Sequence, residues 1–66
     1  MQLEEVKKIV EESGLKHTFI ASNLGMSDDR FYRLLSGRQK WTVDDIKAFS
    51  HFFRLTQRQK STLFLP

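Results

Sequence analysis

Cysteine is absent from this 66-residue chain, and proline occurs once, at the last position. Without thiols, neither a disulfide framework nor a thiolate metal site is available, so a small core has to be held by packing alone. No apolar run approaches the roughly 20 residues that cross a bilayer. The opening M-Q-L-E-E-V-K-K lacks the apolar core of a signal peptide. A cytoplasmic protein with no membrane partner is therefore expected. Strand-period alternation, internal repeats and low-complexity stretches are also missing, which leaves helices as the building material. Glycine is scarce, at positions 14, 25 and 37, and each one falls where an apolar periodicity breaks.

The length gives a single domain over residues 1–66, of a size that buries only about 60% of the surface its unfolded form exposes. Six phenylalanines and Trp41 supply the bulk of the core material. The formal charge of +3 is unevenly spread. Residues 1–15 set Glu4, Glu5, Glu11 and Glu12 against Lys7 and Lys8, whereas residues 16–41 set Lys16, Arg30, Arg33, Arg38 and Lys40 against Asp28 and Asp29. Beyond them Lys47, Arg54, Arg58 and Lys60 outnumber Asp44 and Asp45. The basic excess thus lies in the middle and C-terminal parts.

Leu3, Val6, Ile9 and Val10 recur at helical spacing over about residues 2–12, with Glu4 placed to pair with Lys8, and Ser13-Gly14 ends this first helix. Phe19, Ile20, Ala21 and Leu24 form the apolar stripe of a second helix that stops at Gly25. Ser27 restarts the chain as an N-cap, and a third helix keeps Phe31, Leu34 and Leu35 on one face until Ser36-Gly37. Two short helices with so tight a hinge have the spacing of a helix-turn-helix. A short helix with an outward polar edge is what a major groove admits. Past the glycine, Thr42 and Asp45 spell a capping box, with Trp41 placed to staple onto Ile46. The fourth helix carries Ile46, Phe49, Phe52 and Phe53 inward and ends near Arg54; Thr56 and Gln59 offer a second box for a short fifth helix. The expected fold is all-α, a compact five-helix domain.

From Gly14 to Leu55 the chain resembles the helix-turn-helix family of the Cro proteins and repressors of lambdoid phages. Ala21, Gly25 and Gly37 stand where that family's pattern has them, and Ile20, Leu24, Phe31 and Leu34 at its apolar positions. The run G-R-Q-K-W-T-V-D-D-I looks like that of small phage and mobile-element regulators, in which a Trp-Thr pair opens the fourth helix. The resemblance implies a lambda-repressor-like fold and a transcription regulator, such as a repressor, acting as a symmetric dimer on a two-fold operator. Three departures stand out. His17 replaces a common Gln at the start of helix two; Val10 and Leu35 replace a buried Arg and Glu; Asp28 and Asp29 stand where base-reading amides are frequent. An apolar pair can replace a buried ion pair without loss, because two desolvations are avoided.

With helix three (about 28–36) in the groove, Arg30 and Arg33 are the expected base readers, since a guanidinium fork matches O6 and N7 of guanine; phosphate contact is their alternative. Asp28 and Asp29 either answer the helix dipole or, Asp29 more than Asp28, accept from cytosine N4. The expected phosphate set is His17, Thr18, Ser27, Tyr32, Ser36, Arg38, Gln39, Lys40 and the N–H of Trp41, whose indole is expected in the core. His51 is given no role. No catalytic residue, metal ligand, cofactor or small-molecule ligand is expected, because neither histidine has a second ligand at metal spacing and no serine has a base beside it. Leu63-Phe64-Leu65 offers a possible homodimer contact. The competing function is a protein-interaction module, antitoxin-like or regulatory, that keeps the helix-turn-helix shape.

Overall fold

Side-chain caps start three of the five helices in the computed structural model, which describes residues 1–64. Among these residues there are five α-helices and no strand: α1 (Leu3–Ser13), α2 (His17–Asn23), α3 (Asp28–Ser36), α4 (Val43–Phe52) and α5 (Gln57–Phe64). Ser27 Oγ accepts from the Arg30 N–H at 3.1 Å and starts α3. Thr42 Oγ1 accepts from the Asp45 N–H at 3.1 Å while Asp45 Oδ2 accepts from the Thr42 N–H at 2.9 Å, the reciprocal pair of a capping box. Thr56 and Gln59 repeat that arrangement before α5.

The exit from α2 sets the angle at which α3 departs. Gly25, at φ +72°, donates to Ser22 O, and Met26 donates to Ala21 O at 3.0 Å. These paired bonds make a Schellman turn, which needs the left-handed region at its glycine. Arg54 does the same after α4 at φ +53°, donating to His51 O while Leu55 donates to Ser50 O. It is the non-glycine residue with positive φ among those described. Helix α4 accordingly ends at Phe52, two residues before the boundary read from sequence.

One cluster holds the fold: Val6 and Val10 from α1, Ile20 and Ala21 from α2, Phe31 and Leu35 from α3, Phe49 from α4 and Leu63 from α5. Val10 and Leu35 are both buried in it. Trp41 sits edge-on to Phe49 at 5.5 Å and tilted against Phe64 at 5.4 Å. Its indole N–H donates to Leu34 O at 3.1 Å. Ile46 is half-buried and lines a recess together with Trp41, whose stacking partners are Phe49 and Phe64.

Two expectations change. Phe19 does not join the inward stripe; it is 52% exposed, meeting Phe52 edge-on at 6.3 Å. At about 100° per residue, Ile20, Leu24 and Ala21 already fill the inward arc, and Phe19 falls a further ~100° outside it. The C-terminal segment folds back: Leu63 is buried, Phe64 is half-buried, and Gln2 donates to Leu63 O at 2.7 Å. Leu65 lies outside the described residues. None of the helices described is long and apolar enough to cross a membrane.

Candidate nucleic-acid interface

Helix α3 buries Phe31, Leu34 and Leu35 and presents Asp28, Asp29, Tyr32 and Ser36 to solvent, with Arg33 at the margin. Its N-terminus is fixed by Ser27 and by the turn from α2. Its C-terminus is fixed by Arg33 O, which accepts from Gly37, from Arg38 at 2.9 Å and from Gln39 at 3.1 Å. Both ends of the exposed face are therefore anchored by backbone bonds.

The two arginines expected to read bases do different things. Arg30 points its fork at Asp45: Nη1 donates to Oδ1 at 2.7 Å and Nη2 to Oδ2 at 2.9 Å. That carboxylate is buried, 8% exposed at the side chain, and it also closes the capping box of α4. Arg30 thus ties α3 to α4, and the pair of nitrogens that would match a guanine is already engaged. In this geometry Arg30 has a structural role, and a base contact would require it to leave Asp45. The hydrogen bond from Arg30 holds the Asp45 carboxyl below its ordinary value, helped by Thr42 and opposed by burial; the same bond raises Arg30.

Arg33 is differently placed. Its Nη1 donates to Asp29 Oδ2 at 2.7 Å across one helical turn, on the solvent side. Its Nε has no acceptor among the described residues. An exposed (i, i+4) pair of this kind contributes only about 0.3–0.5 kcal/mol. A bidentate base contact provides about 1–3 kcal/mol of discrimination. The pair can therefore open on a duplex at small cost, releasing both the guanidinium and the Asp29 carboxylate. Asp28, in the first turn of α3 and exposed, has no such partner among the described residues and answers the positive helix end.

Six of the nine phosphate candidates line two recesses. His17, Tyr32 and Ser36 line one recess with Lys7 and Glu11 opposite, the His17 ring standing edge-on to the buried Phe31 at 5.7 Å. Gln39, Lys40 and Trp41 line another with Leu34 and Gly37. Thr18, Ser27 and Arg38 are exposed outside both. Two hydroxyl or N–H donors are already engaged in the fold. Ser36 Oγ donates to Arg33 O at 3.2 Å, and the Trp41 indole donates to Leu34 O. A phosphate at Trp41 would meet its backbone N–H instead.

The Arg30–Asp45 bridge is not legible in sequence. Asp45 is accounted for by its cap, and nothing marks a partner fifteen residues away. The available hint is that Arg30 precedes Leu34 by four and so flanks the buried stripe. Among the described residues no three histidine, aspartate or glutamate side chains converge as a metal site would require. No family model matches the chain, and no curated protein or solved structure matches it either.

Proposed function

We propose that the chain is a sequence-specific double-stranded DNA-binding regulator of transcription, a helix-turn-helix in which α2 braces α3 and α3 lies in the major groove. The observation that carries this reading is the exposed face of α3, where Asp29, Tyr32, Arg33 and Ser36 share one side of a nine-residue helix clamped at both ends. Such a helix is about 13 Å long and, with its side chains, about 10–12 Å across, a cross-section that a groove about 12 Å wide admits. Arg33 is the reader of a guanine, and Asp29 either accepts from a cytosine or orients Arg33. Positioning falls to His17, Thr18, Ser27 and Tyr32 on one flank and Arg38, Gln39, Lys40 and the Trp41 N–H on the other. A homodimer would set two such helices about 34 Å apart on successive turns. Leu63 is built into the core, so at the C-terminal segment the pairing surface would draw on the half-buried Phe64.

The exposed Phe19 beside Phe52 favours the second reading, a module that docks another protein through an apolar patch. Selecting duplexes from a randomised pool separates the two. The DNA-binding reading expects an enriched motif containing a guanine whose preference relaxes in Arg33→Ala. A pool that stays random through successive rounds would refute it.

A further inference from the structure

Helix α4 carries Lys47, Ser50 and His51 at i, i+3 and i+4, along one stripe, and Arg54 in the turn that follows the helix borders the same cleft. That stripe faces Lys60 of α5 across a cleft of about 520 Å³, floored by Ile46 and Leu55. Among the described residues no carboxylate lines it. Helix-dipole complementarity accounts for basic groups near the end of α4, but not for Lys60, which comes from α5, nor for Ser50. Ser50 is 6% exposed and its Oγ has no hydrogen-bond partner among the described residues. A buried hydroxyl without a partner is costly and uncommon in a folded protein, and here it lines a cleft rimmed by cations. Arg54 stands there in a left-handed conformation, φ +53°, that glycine would adopt more cheaply.

We propose that this cleft binds a small phosphorylated molecule, its phosphate held by Lys47, Arg54 and Lys60 with the Ser50 hydroxyl and the His51 ring donating. The volume falls in the range of about 300–1,000 Å³ usual for small-molecule sites. A ligand larger than a bare ion therefore fits, with its apolar part on Ile46 and Leu55. The site assigns roles to His51 and Ser50, for which the sequence offered none, and it replaces the expectation of no small-molecule ligand. It does not depend on the proposed DNA contact.

The test is a titration of the full chain with inorganic pyrophosphate at constant ionic strength, followed by amide NMR shifts. Saturable shifts confined to Lys47, Ser50, His51, Arg54 and Lys60 are expected. Lys47→Gln and Arg54→Gly should each weaken binding about tenfold, as loss of a charge-assisted contact implies. Ser50→Ala should weaken binding severalfold while leaving the thermal midpoint unchanged or raised, since the hydroxyl it removes bonds to nothing in the protein. Non-saturating shifts spread over all lysines and arginines would reduce the effect to general screening and overturn the site. A duplex arm is run in parallel. If duplex DNA displaces pyrophosphate and shifts the same residues, the cleft belongs to a nucleic-acid surface and the small-molecule site is refuted.

Discussion

Removing the Asp45 carboxylate should destabilise the domain from a position far from the proposed reading face. Asp45→Ala deletes the acceptor of the Thr42 N–H and of both Arg30 nitrogens, while the Thr42 hydroxyl still caps the residue 45 N–H. Loss of one limb of a cap costs about 1 kcal/mol. Loss of a charge-assisted partner on a mostly buried carboxylate adds about as much again. The Arg30 side chain, 29% exposed, can rehydrate and so limits the total. A loss of about 2 kcal/mol lowers the midpoint of a domain this small by roughly 8–16 °C, measured by circular dichroism on thermal unfolding. The depressed carboxyl also sets a pH dependence. Native Asp45 favours its ionised form, so its contribution is complete above the ordinary carboxylate value of about 3.9. It is lost as pH falls through the lower folded value. The gap between parent and Asp45→Ala should stay constant from pH 7 to 5 and narrow only below about pH 4. Equal midpoints at pH 7, or Arg30→Met and Asp45→Ala losses that simply add, would show that the bridge contributes nothing.

The same geometry yields other expected outcomes. Arg30→Met should lower stability yet leave base preference unaltered, whereas Arg33→Ala should leave stability nearly unchanged and cost about 1–3 kcal/mol at one base pair; binding-site selection with each variant distinguishes them. Asp29→Asn should shift one position from cytosine towards adenine if the carboxylate reads a base, and improve binding to every sequence if it only repels phosphate. Arg54→Gly should stabilise the fold by about 1 kcal/mol through relief of the left-handed residue, visible in urea unfolding. Gly25→Ala should destabilise by a similar amount, because a Cβ meets no neighbour there but the φ of +72° remains strained.

Local chemistry makes much of the fold legible in the sequence. Ser27, Thr42 and Thr56 cap where their side chains and the residues three further on indicate, and Gly14, Gly25 and Gly37 turn the chain where apolar spacing stops. Such signals act over three to five residues, which is why sequence carries them. Phe19 departs from its expected place because a hydrophobic residue counts towards the core only at the right angle around a seven-residue helix. The Arg30 bridge to Asp45 is not foreseen from sequence because its partner lies fifteen residues on, and a long-range ion pair leaves no periodic trace. Helix α4 stops short of the boundary expected for it because Arg54 occupies a turn position that usually announces itself with glycine. At the candidate interface the exposed face of α3 is legible, but the division of labour between its two arginines is not.

Salt dependence of duplex binding tests the central proposal most directly. If the exposed cations Arg38 and Lys40 neutralise phosphates, raising salt from about 50 to 200 mM should weaken binding roughly 12-fold for two contacts per chain. An affinity that does not change over that range would contradict a DNA-binding surface on this protein.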